Sequence, residues 1–395
     1  MTLLRTSRGA RIGPGRISIV HALLLALILG AVLTHYLEVY EVRWAAKVRR
    51  LIYPRPAWQG FDDVLGSTGQ PAKRTIPLSI TGHPVRAALS VRRDVYHVLS
   101  THLVPPPIPV LSSEVLKTSD DKGVNRDGSQ AILRAADWLL STGQSLTAGN
   151  IKALMIPYYF PERTYRIDPP WYSGMAQGMA GEVLLAAYFI SGDVRYYQGA
   201  IQAANGLRIP VRLGGTAVSL NEGLWFEEYA SPRLGDSFPL VLNGHMFAMD
   251  LLFWLKQIDP ARWTPLYNAA HRAVEERVVR YLSLGWSYYD ARGNFASGVY
   301  HRLHARQLRR LAQVGLPASN IQEAVRTIER DILLPIGVFE RLIRQHNRML
   351  IFLWLIHSSF FFALLWSIRC ILSASGSAKA CTKTGCLIRD SLSCE

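Results

Sequence analysis

Two long runs without charged residues constrain this chain more than any other feature. Residues 17–37 and 349–368 are rich in Leu, Ile, Ala or Phe and contain no Asp, Glu, Lys or Arg. As a helix the first run would span about 31 Å at 1.5 Å per residue, which is close to the hydrocarbon thickness of a bilayer. The sequence therefore predicts a transmembrane anchor over 17–37. We expect a second transmembrane helix over 349–368, with a helix lying on the membrane surface as the alternative.

Basic residues lie on both sides of the first apolar run. Four arginines within residues 1–16 precede it, and four Lys or Arg residues follow it within 38–50, so the positive-inside rule barely decides the orientation. The preceding cluster is closer and contains no acid, which favours a cytoplasmic N-terminus and a periplasmic or lumenal location for the chain between the two runs. The segment Leu33–Tyr36 offers no small-x-small cleavage site, so we expect an uncleaved anchor.

The net charge narrows the class of partner. A formal charge of +15 on 395 residues suits a polyanion, and nucleic acid, anionic lipid and acidic polysaccharide all fit. The basic residues are spread widely and form no nucleic-acid motif, so nucleic acid is not expected. The partners that remain are an acidic polysaccharide and a membrane surface.

The cysteines exclude thiol chemistry from most of the chain. All four cysteines lie at the C-terminal end, at Cys370, Cys381, Cys386 and Cys394. Cys381 and Cys386 have the spacing C-x4-C with no histidine nearby, which is weak evidence for a metal site. We therefore interpret residues 369–395 as a disordered tail with free thiols, and we expect no disulfide in the body of the protein.

Composition and apolar spacing divide the rest of the chain in two. Residues 38–128 are rich in proline and turn residues, and we interpret them as an irregular wrapping segment with short strands or one helix over 86–103. From 129 to 340 the spacing predicts helices joined by short breaks, which is typical of antiparallel helical hairpins. The predicted helices are 130–141, 176–190, 194–207, 242–258, 264–281, 300–314 and 319–332.

Such hairpins can be arranged in a ring. The predicted fold class is therefore mainly α, an α/α toroid-like domain over 129–340 with hydrophobic membrane segments near both ends of the chain. A strand over 216–220 is expected within a long connection.

Adjacent carboxylates and phenols are the first chemical signal. Glu227 and Glu228 precede Tyr229, and Asn243 and His245 follow at the start of a predicted helix. A carboxylate beside a phenol can move protons, because a phenol that donates its proton leaves a stabilised anion. The structural alternative is a capped turn between two core helices.

A second phenol lies close to a cation. Tyr289 precedes Arg292 by three residues, and a guanidinium can lower the pKa of a phenol or pair with a substrate carboxylate. Further along, Tyr300, His304 and Gln307 share one helical face. The structural alternatives are an exposed cation–aromatic contact and a solvated basic helix. Together His301 and His304 lack a third metal ligand, so no metal is expected.

A third signal precedes these two along the chain. Trp171 and Tyr172 lead into a predicted helix with small residues at 174, 176 and 178 and with Gln177 between them. Small residues allow a ligand or another backbone to come close. Tight helix packing is the structural alternative for this stretch.

Taken together, these stretches resemble the C-terminal catalytic domain of the D-glucuronyl C5-epimerases, which modify heparosan. The order and approximate spacing of the motifs agree over residues 165–315. The matching positions are Trp171–Gly178, Ala187–Tyr188, Asp193, Glu227–Tyr229, Val241–Gly244, Tyr289, Asp290, Arg292, Tyr300, His301 and His304.

The resemblance implies inversion at C5 of glucuronate residues within a heparosan-like polysaccharide, giving iduronate, with no cofactor and no metal. It implies catalytic roles for Glu228, Tyr229, Tyr289 and Tyr300, with Glu228 and Tyr229 on one sugar face and Tyr289 or Tyr300 on the other. Arg292 would neutralise the substrate carboxylate. The other implied substrate-binding residues are Asn243, His245, Gln177, Asn294, His301 and His304.

Two other functions fit the same residues. A uronan lyase begins with the same proton abstraction and then expels the 4-linked oxygen. A non-catalytic, membrane-tethered protein would bind the acidic glycan without exchanging a proton. A homodimer is compatible with any of the three.

Overall fold

The chain is mainly helical. The computed structural model describes residues 18–52, 84–104, 126–345 and 347–384. Its helices are α1 (Ile19–Ile52), α2 (Pro84–Ser90), α3 (Arg92–His102), α4 (Arg126–Thr142), α5 (Gly174–Ser191), α6 (Val194–Gly206), α7 (Leu242–Ile258), α8 (Pro260–Arg277), α9 (Gly298–Leu311), α10 (Ser319–Leu333), α11 (Ile336–Arg344) and α12 (Arg348–Thr384). The predicted mainly α class is confirmed, whereas a toroidal arrangement of the hairpins stays a prediction.

Two short antiparallel hairpins accompany these helices. Strands β1 (Gln144–Ala148) and β2 (Ile151–Met155) pair with Gln144 opposite Met155. Strands β3 (Ala217–Leu220) and β4 (Gly223–Phe226) pair with Ala217 opposite Phe226. The sequence predicted only β3, and the second hairpin matters for function because β4 leads directly into Glu227 and Glu228.

The chain divides into two compact units. One contains residues 1–41 and 338–395, and the other contains residues 42–337. The first unit holds two helical segments, Ile19–Glu38 and Arg348–Leu372, which are long and apolar enough to cross a membrane by length and composition. These segments cover most of the two predicted spans.

Polar contacts join the apolar helices of the first unit. The Cα of Gly30 faces Ser358 so closely that an added Cβ would lie 2.7 Å from the Ser358 backbone nitrogen. Thr34 Oγ1 lies 2.8 Å from His357 Nδ1. Small residues at a helix crossing and polar side chains that face each other are typical of paired membrane helices. Near the end of the apolar segment, the buried guanidinium of Arg341 forms two hydrogen bonds with Glu38, at 2.6 and 2.8 Å.

Helix α5 lies at the centre of the second unit. Ser173 caps its N-terminus by accepting a hydrogen bond from the Ala176 N–H, and Gly192 ends it with a φ of 72°. Helices α2, α3, α4, α6 and α7 all pack against it. At Gly178 an added Cβ would lie 2.6 Å from the Cα of Ala248 in α7. The small residues of this stretch therefore serve close helix packing, as the structural alternative proposed.

The segment interpreted as irregular is helical in several parts: α1 continues to Ile52, α2 and α3 follow, and α4 begins at Arg126. Helix was one of the two alternatives expected over 86–103. Helix α3 buries Val95, Val98 and Leu99 against the core, and this apolar spacing was obscured by the prolines on both sides. The remainder of that segment, over 53–83 and 105–125, lies outside the described residues. The predicted disordered tail also begins as helix, because α12 continues to Thr384. Residues 385–395 lie outside the described residues.

Candidate active site

Strand β4 places two glutamates at the centre of the second unit. The Glu227 N–H donates to the Thr216 carbonyl at 2.8 Å, which continues the β3–β4 ladder by one residue. The Glu227 carbonyl in turn accepts a hydrogen bond from the Gly174 N–H at 2.7 Å. The Glu227 carboxylate accepts from the backbone N–H groups of Tyr229 and Leu240. Glu227 thereby fixes the loop that carries Glu228 and Tyr229.

A chain of three side chains runs through the site. The Tyr289 hydroxyl donates to Glu228 Oε1 at 3.1 Å and lies 3.2 Å from the Tyr229 hydroxyl. These groups come from positions about sixty residues apart in the sequence. The structure therefore brings Glu228, Tyr229 and Tyr289 together as a carboxylate with two linked phenols.

Tyr300 extends this group towards solvent. It lies in the first turn of α9, and the Ser297 hydroxyl accepts its N–H at the helix start. The Tyr300 and Tyr289 ring centroids are 5.2 Å apart. Tyr300 is 38% exposed, whereas Glu228 is buried. The site thus runs from a buried acid to a phenol that solvent and substrate can reach.

Helix α7 approaches the acid from behind with its backbone. At Gly244, in the first turn of α7, an added Cβ would lie 2.1 Å from Glu228 Oε2. Any side chain at this position would displace the carboxylate. Among the described residues Glu228 Oε2 has no hydrogen-bond partner, so one acceptor of the buried acid is left unused.

Burial dominates the electrostatics of the two acids. It raises the pKa of Glu228 to about 8, an effect that the hydrogen bond from Tyr289 opposes. It likewise raises the pKa of Glu227 to about 7, against the hydrogen bonds from backbone N–H groups. Burial raises the pKa values of Tyr229, Tyr289 and Tyr300 as well, with the Glu228 charge as the second cause. The carboxyl of Glu228 can consequently hold or release a proton near neutral pH, whereas the phenols stay protonated at rest.

Asp290 organises the loop that follows Tyr289. Its buried carboxylate accepts hydrogen bonds from the backbone N–H groups of Arg292 and Asn294, at 3.0 and 3.1 Å. It also accepts from the Asn294 amide at 2.6 Å and from the Tyr165 hydroxyl at 2.5 Å. These four bonds fix the backbone on the C-terminal side of Tyr289. The Asn294 side chain is thereby used within the loop.

The Arg292 guanidinium lies beside the aromatic groups of the site. It donates to the Ser237 carbonyl at 2.6 Å, and its Cζ lies 5.2 Å from the centroid of the Tyr165 ring. The Tyr165 ring is 4.7 Å from the Tyr229 ring. No carboxylate of the described residues lies within 4 Å of the Arg292 guanidinium. Its charge is therefore available to an anionic substrate.

Two predicted substrate-binding side chains are used inside the protein. Both ring nitrogens of His245 meet backbone groups: Nδ1 accepts the Phe226 N–H, and Nε2 lies 3.2 Å from the Ala270 carbonyl. Gln177 is fully buried and bonds the backbone of Leu154, Ile156 and Ala203. These bonds hold β4 and β2 in place, and a contact of either side chain with substrate stays a prediction.

The two histidines of α9 are also buried. His301 Nδ1 and His304 Nδ1 both lie within 3.0 Å of the Ser287 hydroxyl. The His301 ring stacks on Trp286 at 4.0 Å. Burial lowers the pKa of His304 to about 3, which keeps it neutral. These contacts hold α9 against Trp286 and Ser287. Direct binding of substrate by either histidine stays a prediction.

Asn243 lies at the start of α7, one residue before the Gly244 that faces Glu228. Its side chain is buried, and its Oδ1 has no hydrogen-bond partner among the described residues. Its backbone carbonyl accepts from the amide of Gln307 at 3.2 Å. A contact between the Asn243 side chain and substrate stays a prediction.

Sequence reasoning did not assign Tyr165 and Asp290 to the site. Asp290 was part of a recognised motif, but its role became visible only through its four hydrogen bonds. Tyr165 precedes the Trp171 motif without belonging to it, and its contacts with Asp290, Tyr229 and Arg292 connect it to the site. An isolated tyrosine before Trp171 carries no sequence signal for such a role.

Comparison with known proteins agrees with the motifs. Residues 150–326 match the family described as D-glucuronyl C5-epimerase C-terminus, and every predicted site residue lies within this range. The resemblance inferred from the motifs is therefore confirmed for this segment.

A relative is found in an archaeon. The uncharacterized protein MJ1128 of Methanocaldococcus jannaschii is 29% identical over 184 residues, which cover 44% of this chain and 58% of the relative. The chain thus spans less than two thirds of the length of this relative.

Proposed function

We propose that this protein is a polysaccharide uronate C5-epimerase that converts D-glucuronate to L-iduronate residues within a heparosan-like glycan. The family of residues 150–326 supports an epimerase-like function. The observation that carries the proposal is the Tyr289 hydroxyl, which lies between the Glu228 carboxylate and the Tyr229 hydroxyl.

The reaction requires two proton transfers and no change of oxidation state. The C5–H bond breaks, its proton passes to a base, and the electron pair is delocalised into the adjacent carboxylate as an enediolate. A proton then returns to C5 from the opposite face and completes the inversion. Because no electron leaves or enters the substrate, the chain of events needs no redox cofactor.

Glu228 and its phenols are suited to one of these transfers. A group with a pKa of about 8 exchanges protons efficiently near neutral pH. Tyr289 touches both the acid and Tyr229, so a proton can pass along this chain by small movements of hydroxyl hydrogens. Glu228, Tyr229 and Tyr289 would therefore serve the same sugar face.

Tyr300 is the better candidate for the opposite face. The Tyr229 and Tyr289 oxygens are 3.2 Å apart, which leaves no room for a sugar carbon between them. Tyr300 lies next to Tyr289 and is the most exposed of the three phenols. Of the two alternatives for the second face, Tyr289 or Tyr300, the geometry favours Tyr300.

Arg292 would stabilise the charge that develops on the substrate. The enediolate carries two negative charges, and a guanidinium that can form two hydrogen bonds with a carboxylate is suited to both. Arg292 is attached to the same loop as Tyr289, so the proton-transfer group and the cation are positioned together.

Membrane attachment fits an enzyme that acts on a polysaccharide outside the cytoplasm. We propose that the two apolar helices anchor the protein and that the helical domain, an α/α toroid of hairpins, faces the periplasm or lumen. A homodimer is compatible with this arrangement.

Proton exchange at C5 tests the proposal directly. The full chain in detergent would be incubated with heparosan in deuterated water, and deuterium at C5 would be read by NMR. We expect incorporation with the wild-type protein and a loss of about 10²-fold or more in Tyr229→Phe and Tyr289→Phe, as for removal of a proton-transfer group. Tyr196→Phe, whose hydroxyl donates to Asp137 in another part of the unit, is the matched control.

The same experiment separates the alternatives. An unsaturated product that absorbs in the ultraviolet would identify a lyase. Binding of heparosan without deuterium at C5 would identify a non-catalytic glycan-binding protein. Full exchange in both tyrosine variants would exclude these phenols from the mechanism.

A further inference from the structure

Two arginines outside the candidate active site donate hydrogen bonds to the same side-chain oxygen, Oδ1 of Asn205. Arg262 Nη2 donates to Asn205 Oδ1 at 2.9 Å, and Arg208 Nη1 donates to the same oxygen at 3.4 Å. Asn205 lies at the end of α6 and Arg262 in the first turn of α8. None of the recorded contacts of the three residues involves the acid or the phenols of the site.

The shared acceptor is held in place. Asn205 is only 6% exposed, and its amide group donates to the Lys152 carbonyl in β2 at 2.7 Å. This bond orients the amide and directs Oδ1 to the two guanidiniums. The Arg262 guanidinium also lies over the Trp263 ring, with Cζ 4.6 Å from the ring centroid. Asn205 therefore positions both guanidiniums, and Trp263 also positions that of Arg262.

Both guanidiniums keep unused charge and donors. Each carries five N–H donors, of which one is directed at Asn205. Other arginines of this unit, such as Arg195, Arg277 and Arg310, have a carboxylate within 4 Å. Neither Arg208 nor Arg262 has such a partner within the part of the chain that the structure describes. Burial and the nearby Arg262 charge lower the pKa of Arg208, as expected for two like charges held close together.

We propose that Arg208 and Arg262 form a second anion-binding site, which holds a carboxylate or sulfate group of the acidic polysaccharide at a sugar residue other than the one that reacts. The assignment of the ligand as a polysaccharide rests on the proposed function. An oxyanion between the guanidiniums relieves their mutual repulsion, and the planar forks match its oxygens. Such a site would align the glycan and strengthen binding without taking part in proton transfer.

Removal of the two charges tests the site. The double variant Arg208→Gln and Arg262→Gln would be compared with the wild-type full chain in detergent, with binding of heparosan and of N-sulfated heparosan measured by calorimetry. We expect about tenfold weaker binding, the consequence of about 1.4 kcal/mol, together with a smaller dependence on salt. The rate of C5 exchange at saturating glycan should be unchanged, because neither residue touches the proton-transfer groups.

A matched control removes the same charge elsewhere. Arg195→Gln with Arg330→Gln also removes two exposed guanidiniums, but each of these is paired with a carboxylate at 2.7 to 2.9 Å. If both double variants lose affinity equally, net charge and not the arginine pair determines binding, and the proposal is wrong. Wild-type affinity in the Arg208 and Arg262 variant would also overturn it.

The outcomes distinguish the site from the proposed function. Weaker glycan binding in the variant, with no C5 exchange in the wild-type protein, would reject the epimerase and retain the site. If the double variant loses more affinity for the N-sulfated polymer than for heparosan, the anion at this site is sulfate. An equal loss of affinity for both polymers would assign it as carboxylate. If inorganic sulfate alone binds the wild-type protein as tightly as the polymers do, the ligand is a free anion and the polysaccharide assignment fails.

Discussion

Two groups of buried acids in the same unit differ in how their charge is balanced. Glu182 in α5 and Asp250 in α7 form a cluster with Arg92, which lies 3.0 Å from each of them, and Asp250 also pairs with Arg310 at 2.9 Å. Two acids thus meet two cations. Glu228, by contrast, meets only hydroxyl groups and helix backbone, and no Lys or Arg nitrogen of the described residues lies within 4 Å of its carboxylate.

The difference distinguishes a cluster that joins helices from an acid that we propose to be reactive. A paired buried ion keeps its charge and joins helices, so the first cluster connects α3, α5, α7 and α9. An acid buried without a cation is held near the point where it can gain or lose a proton, which is what proton transfer requires. Burial raises the pKa of Glu182 as well, but there the Arg92 guanidinium opposes the rise. Hydrogen-bonding partners, and not burial alone, therefore mark the candidate site.

The largest effect is expected at the balanced cluster. Asp250→Asn removes the carboxylate that joins Arg92 and Arg310, and leaves a buried cation without its partner. We expect the free energy of unfolding to fall by about 3–5 kcal/mol, measured by denaturant titration of the full chain. Asp193→Asn, which breaks the exposed pair with Arg195, should change stability little. Equal losses in both variants would show that burial does not strengthen the first cluster.

A smaller effect is expected at the loop that carries Tyr289. Asp290→Asn keeps Oδ1 as an acceptor for the backbone N–H groups of Arg292 and Asn294. It replaces Oδ2, which accepts from the Tyr165 hydroxyl and from the Asn294 side-chain amide. Because Tyr289 and Arg292 would then be less well fixed, we expect kcat for C5 exchange to fall about tenfold, a typical cost of imperfect positioning, with a smaller change in KM. Tyr165→Phe should give a weaker effect in the same direction. A wild-type kcat in both variants would remove Asp290 from the positioning of the site.

Stability is also expected to depend on pH. The pKa of Glu228 is raised to about 8 in the folded protein, so the folded state binds more protons than the unfolded state between about pH 4.5 and 8. Stability from this group is therefore greatest below the unfolded pKa and is lost as pH rises through the folded pKa. We expect the unfolding midpoint to decline from pH 5 to 8.5, and Glu228→Gln to flatten part of this decline. An identical profile in the variant would contradict the buried, unpaired state of the acid.

Much of the helical framework could be predicted from the sequence. Helix α7 has the predicted bounds, Leu242–Ile258, because its apolar residues and the flanking breaks are unambiguous. The hairpin of β1 and β2 was missed, since Gln144–Ala148 is largely exposed and carries no alternating apolar pattern. Over 86–103 a helix was only one of two alternatives, because nearby prolines dominate the composition of that segment.

For the candidate site, the sequence predicted side chains that the structure brings together, whereas their roles stay a prediction. The structure brings Glu228, Tyr229 and Tyr289 into contact. Their proximity was expected from the family resemblance of the motifs. His245 and Gln177 look like ligands in the sequence, yet their polar atoms are used on backbone groups that no local pattern reveals. Tyr165 was missed because its partner Asp290 is 125 residues away.

The glycine behind Glu228 has a consequence for any redesign of this protein. The surface behind the acid is main chain at Gly244, and main chain cannot swing aside as a side chain can. The Glu228 carboxyl can therefore shift towards Tyr289 but not towards Gly244. Attempts to reshape the candidate site should therefore begin at Tyr300 and Arg292, which are exposed, and should leave position 244 unchanged.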